Sequence, residues 1–94
     1  PENTSPDFRD LCSRTVQTDD LTGKSCYELD IMRNTIYAVH GYTFKKNKMM
    51  MDFFNKQVWY KPSNDFSFNT SLSDMERDNV NTIRNYEDQK NCPK

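Results

Sequence analysis

His40 is the chain's only histidine, and imidazole is the one side chain that ordinarily titrates near neutral pH. As a general base it needs a nucleophile and an orienting group within hydrogen-bond reach. The cysteines are Cys12, Cys26 and Cys92. Cys26 lies about 21 Å from His40 along a continuous helix at ~1.5 Å per residue, so those two form no dyad. Cys12 or Cys92 can approach His40 only through the fold, and a disulfide competes for either. The 14 acidic residues show no spacing that singles out the two flanking carboxylates of a glycosidase. There is no C-x-x-C, and a lone histidine with scattered cysteines does not complete a usual zinc set. No nucleophile–base–orienter set can be assembled, so the expectation is a non-enzyme with no catalytic residue, no metal and no cofactor.

Two other groups carry potential chemistry. Trp59 and Tyr60 precede Lys61, and Tyr42 stands near Lys45. Rings with polar edges stack on sugar faces or anchor protein partners, which makes these five the candidate binding residues. Their competing role is a lid over a small core. Arg33, Asn34, Glu76 and Asn79 sit beside apolar residues at helix-packing positions, where buried polar groups must find partners. The sequence predicts an interhelical network in which Arg33 pairs with Glu76, and Asn79 bonds to backbone or to His40. Tyr37, His40 and Gly41 belong to the same structural set. The alternative is that these groups face outward and grip a ligand.

The elements that position these residues follow from capping and periodicity. Ser25-Cys26-Tyr27-Glu28 is a capping box that starts a helix. Leu29, Met32, Ile36 and His40 then mark one helical face, and Gly41 is the positive-φ stop. His40, in the last turn, is placed to donate to carbonyls left open there. Asn47 caps a second helix whose stripe is Met50, Phe54 and Val58. Pro62 forces an extended predecessor, so Trp59-Tyr60-Lys61-Pro62 folds back across the helices. A polar loop over 63–71 is pinned by Phe66 and Phe68. Ser73-x-x-Glu76 opens a third helix with Leu72, Met75, Val80, Ile83 and Tyr86 inward. The expected fold is all-α, with three helices over about 26–40, 47–57 and 73–88. Residues 1–17 read as a flexible leader with a short helical turn at Phe8, Leu11 and Cys12, residues 18–90 as the domain, and 91–94 as a tail. Thr18-Asp19-Asp20-Leu21-Thr22-Gly23 reads as turn chemistry.

Ninety-four residues bound this to one small domain. At 34% hydrophobic and 29% charged the core must be lean, while 13% aromatic content keeps the chain on the folded side. A net charge of −1 with interspersed signs gives no basic face for nucleic acid. No apolar run approaches the roughly 20 residues of a membrane span. The chain opens at Pro1, the expectation being a mature or excised form whose signal peptide or anchor lay upstream. Three cysteines fit one disulfide with one leftover thiol, or three thiols.

The motif Tyr37-Ala38-Val39-His40-Gly41 resembles the signature of the YARHG domain family, with valine where the family name has arginine. The resemblance runs through Asp20-Leu21, Gly23, Ser25, Glu28-Leu29, Met32-Arg33-Asn34 and Ile36 before the motif. It continues through Tyr42, Phe44-Lys45, Phe54, Trp59-Tyr60-Lys61-Pro62, Leu72, Glu76, Asn79, Ile83 and Tyr86-Glu87, covering roughly residues 18–88. Two positions depart from it: Val39 removes the guanidinium, and Thr35 replaces the usual acidic residue. The resemblance implies a small bacterial extracellular or periplasmic cell-envelope module, often attached to lipoproteins. Through the domains it accompanies, it implies peptidoglycan or another surface glycan as partner. A protein-interaction or structural module at the end of a larger secreted chain is the other function it admits.

Overall fold

The computed structural model describes residues 7–67 and 70–93. The expectations for the leader over 1–6, for Phe68 and for Lys94 lie outside the described residues. Among those described, the architecture is helical with no strand: a 3-10 turn (Arg9–Cys12), then α1 (Thr18–Leu21), α2 (Cys26–Val39), α3 (Lys48–Asn55) and α4 (Asp74–Gln89). No described helix is long and apolar enough to cross a membrane.

Local signals set the helix ends. In α2 the Glu28 amide donates to Ser25 Oγ at 3.1 Å, and the Ser25 amide donates back to Glu28 Oε1 at 2.9 Å. In α4 the same reciprocal pair joins Ser73 and Glu76, at 3.1 and 2.8 Å. Asn47 Oδ1 accepts from the Met50 amide and caps α3. Helix α1 lies where a turn is expected. The Asp20 carboxylate accepts from the Gln17 amide at 2.7 Å, which closes a single helical turn instead.

Helix α2 is the centre of the molecule and is buried on two opposite sides. One side, through Leu29, Met32 and Ile36, meets α4 (Val80, Ile83) together with Leu11, Val16 and Leu21. The other, through Ile31 and Ala38, meets Phe44, Met50 and Phe54. Periodicity reveals only the first stripe, because Ile31 and Ala38 stand apart from the i, i+3, i+4 series. Leu11 and Val16 are already core, ahead of residue 18 where the sequence begins the domain. Trp59 and Tyr60 lie over α3, packing on Phe54 at ring separations of 6.0 Å each. Val58, expected on the α3 stripe, is instead 97% exposed. The helix stops at Asn55, so the four-residue phase from Phe54 is lost.

The antiparallel pair α2–α4 is stapled at one end by the disulfide Cys26–Cys92. Cys92 reaches α2 because the chain after α4 turns sharply. Asn91 takes φ 63°, the Asn91 amide donates to Asp88 O, and the Cys92 amide donates to Glu87 O.

Candidate functional site

At the other end of the pair, the C-terminus of α2 meets the N-terminus of α4. Gly41 at φ 92° turns the chain, with its amide on Ala38 O at 3.0 Å and the Tyr42 amide on Tyr37 O at 3.2 Å. His40 is the C-cap, and its imidazole crosses to the first turn of α4, where Nε2 is 2.7 Å from Glu76 Oε2. It therefore does not donate to the open carbonyls of its own helix. The carboxylate on the facing helix is the stronger acceptor, and it lies at the positive end of the α4 dipole. Glu76 is 4% exposed and its other oxygen is held by the Ser73 amide, so Oε2 is fixed toward His40.

The third member is Cys12, at the end of the 3-10 turn. Cys12 Sγ, the His40 ring nitrogen and the Glu76 carboxylate oxygen all lie within 4.8 Å of one another. Asn79 holds that turn in place. Its Oδ1 accepts from the Val16 amide at 2.9 Å, and its Nδ2 donates to Leu11 O and Arg14 O, both at 2.8 Å. The expected backbone role of Asn79 is thus met by the segment on both sides of Cys12. The sequence allows either Cys12 or Cys92 to approach His40, with a disulfide competing for each, and the bridge to Cys26 takes Cys92. The only signal was arithmetic: an odd cysteine count leaves one thiol over.

Charge at this cluster is well defined. Burial, then the neighbouring Glu76, pushes the Cys12 thiol up to about 12. Burial also opposes the Glu76 charge, but the Ser73 amide, His40 and the thiol outweigh it and hold the carboxyl below its usual range. The proton therefore stays on sulfur and Glu76 is the anion. Since a carboxylate only accepts, His40 Nε2 carries a hydrogen. A nucleophilic cysteine needs the opposite shift, toward thiolate.

Arg33 does not pair with Glu76 as expected. Its Nε donates to Glu87 Oε1 at 2.8 Å, and its Nη2 to Asp30 Oδ1 at 3.0 Å. Arg33 lies nearly two turns before His40, so in an antiparallel pair it meets α4 well beyond Glu76, and its long side chain reaches Glu87, about three turns on. Burial opposes the Arg33 charge, yet Glu87 and Asp30 hold it above its usual value. Burial, against the pull of Arg33, pushes the Asp30 carboxyl up. Asn34 Nδ2 donates to both Asp30 O and Asp30 Oδ1. Tyr37 is buried edge-on against Tyr42 and Phe66, and its hydroxyl accepts from Arg84. Asp30 was legible as an i, i+3 partner of Arg33; Glu87 needed the helix register.

The five candidate binding residues divide. The Arg9 guanidinium lies 5.2 Å above the Trp59 ring. The Tyr60 hydroxyl donates to Tyr42 O at 2.6 Å. Lys61 is exposed, and its carbonyl runs close beside Gly41. Tyr42 and Lys45 line an open groove of about 530 Å³ with Thr43, Ser63, Asn64 and Phe66.

No curated protein and no solved structure matches the chain. Residues 7–88 match the family model of the YARHG domain, which takes in both helices of the central pair, the motif turn and the 3-10 turn. With nearly the whole chain inside that match, this protein belongs to the YARHG domain family.

Proposed function

We propose that this domain is a non-catalytic module of the bacterial cell envelope, extracellular or periplasmic, that binds peptidoglycan or another surface glycan. The observation that carries this is the groove at the motif turn. It puts the rings of Tyr42 and Phe66 beside the exposed side chains of Lys45 and Asn64 and the half-buried Thr43 and Ser63. A sugar needs that combination: a ring edge for its apolar face, with hydroxyl, amide and ammonium groups for its hydroxyls and carboxylates. Gly41 and the Ser63 amide, which donates to Gly41 O at 2.8 Å, hold the two walls together. The upward-shifted Cys12 thiol supports a non-catalytic role.

Co-sedimentation with purified sacculi at low salt tests the proposal. Retention of the protein, lost several-fold in Lys45→Ala/Asn64→Ala, is expected. Both side chains are exposed, so that variant keeps the fold. No retention, or equal retention of the variant, overturns it. A second function, protein docking, is favoured by exposed Tyr27 and Met49, which flank a cavity of about 370 Å³ beside Arg33. Saturable binding to a protein partner, with no glycan retention, would select it.

A further inference from the structure

We propose that Cys12, His40 and Glu76 form a site for a divalent transition metal, Zn²⁺ by ligand type, at the junction of the 3-10 turn, α2 and α4. Sulfur, imidazole nitrogen and carboxylate oxygen are the three zinc donors, and here they come from three separate elements to within 4.8 Å of one another. With metal–sulfur bonds of about 2.3 Å and metal–nitrogen or –oxygen bonds of about 2.0–2.1 Å, tetrahedral geometry requires donor separations of roughly 3.3–3.7 Å. The present spread, from 2.7 Å between His40 and Glu76 up to the 4.8 Å limit, brackets that range. Binding therefore needs the His40–Glu76 pair to open by about 0.6–0.7 Å and any other pair to close by no more than about 1.2 Å.

The donors are also held in place. Glu76 Oε1 is taken by the Ser73 amide, which leaves Oε2 aimed at the cluster, and Asn79 pins the backbone on both sides of Cys12. Support of this kind around first ligands is what fixes metal sites. The His40 side chain is 30% exposed, which gives an ion a way in and a fourth position for water. On binding, the sulfur releases its proton to solvent and the imidazole moves its hydrogen to Nδ1. Thiolate and carboxylate then neutralise the two positive charges of the ion. The disulfide occupies Cys26 and Cys92, so Cys12 is the only thiol available.

The test uses the oxidised protein with Zn²⁺ alone and Co²⁺ alone as probes. Equilibrium dialysis should give one Zn²⁺ per chain. Cys12→Ser, His40→Gln and Glu76→Gln should each weaken binding at least about tenfold. Gln at 76 keeps the capping box, so folding and ligation are separable. Co²⁺ should produce a thiolate charge-transfer band in the near ultraviolet. In the oxidised wild type that band can come only from Cys12, so it decides the matter even if a variant fails to fold. Absence of the band, or Zn²⁺ retention that the variants leave unchanged, overturns the proposal and leaves a His40–Glu76 hydrogen bond beside a buried thiol. Because the probes are bare ions, sacculus binding can fail while this succeeds, and the reverse.

Discussion

Replacing Gly41 by alanine should be the most damaging single-methyl change in this chain, and Gly23→Ala supplies its control. Both glycines have positive φ, 81° at Gly23 and 92° at Gly41, so both substitutions carry a backbone cost of about 1–2 kcal/mol. Their surroundings differ. A Cβ at position 23 meets nothing within 4 Å. At position 41 it would lie 2.8 Å from Ser63 Cβ, 3.2 Å from Lys61 O and 3.3 Å from the Ser63 nitrogen. The 61–63 strand of chain must move away, at an overpacking cost of about 1–3 kcal/mol. Moving it also strains the 2.8 Å bond from the Ser63 amide to Gly41 O, worth about 1 kcal/mol. The sum is roughly 3–6 kcal/mol at Gly41 against about 1–2 at Gly23. At ~4–8 °C per kcal/mol, thermal melts should fall by more than about 12 °C at Gly41 and by about 4–16 °C at Gly23. The gain in unfolded-state order on adding a methyl is common to both and cancels in the comparison. Asparagine sharpens the test because it tolerates positive φ. Gly23→Asn should be nearly neutral, whereas Gly41→Asn should remain severe. Equal losses in the two alanine variants, or rescue of position 41 by asparagine, would refute a close approach as the reason for glycine at 41.

The other expected outcomes concern stability. Asn79→Ala leaves two carbonyls and one amide without their partner, at about 1–3 kcal/mol for each group that water does not reach. It should lower Tm by well over 10 °C and speed hydrogen exchange at the Val16 amide, and an unchanged Val16 protection factor would contradict the clamp. Reduction of Cys26–Cys92, or its replacement by serines, releases a loop of 66 residues' separation and should cost about 4 kcal/mol. A fall in Tm of less than about 5 °C would show that the helix pair holds that end without it. The hydrogen bond from Arg14, with the Gln17 amide, holds the Asp20 carboxyl down at about 2. Because the folded value lies below the unfolded one, this stability is present above about pH 4 and lost as pH falls toward 2. Asp20→Asn should flatten Tm against pH across that window, by a few degrees at most and less in high salt, since the pair is exposed. An unaltered acid limb would remove Asp20 from the account.

What the sequence made legible was local. Ser25, Glu28, Asn47, Ser73, Glu76 and Gly41 each act on backbone groups within four residues, and each marks a helix end as expected. Partner choice was not legible, because it depends on how one helix slides along another. Arg33 needs a carboxylate on α4, and both Glu76 and Glu87 lie on its buried side. Only the antiparallel register, fixed by the bridge at one end and the Gly41 turn at the other, decides for Glu87. The Cys12 cluster was hidden for the same reason. Cys12 follows a short turn with little periodicity of its own, placed by Asn79 from the far end of the sequence. The second core face of α2 is not visible in the sequence because only Ile31 and Ala38 supply it, and both stand outside the i, i+3, i+4 series of the first.

Four of the five positions in the motif that gives the family its name are set by the fold. The Tyr37 carbonyl receives the Tyr42 amide, and its ring packs on Tyr42 and Phe66. Ala38 is buried in the second core cluster, where Phe44 and Phe54 leave room for a methyl group. His40 reaches Glu76, and Gly41 turns the chain beside residues 61–63. Each of these four positions has a structural reason for its residue type. Val39 alone is exposed, and no packing requirement selects its side chain. The position at which this chain departs from the name is therefore the one that the fold leaves open. Losing the guanidinium costs the architecture nothing and changes only the surface beside the motif turn.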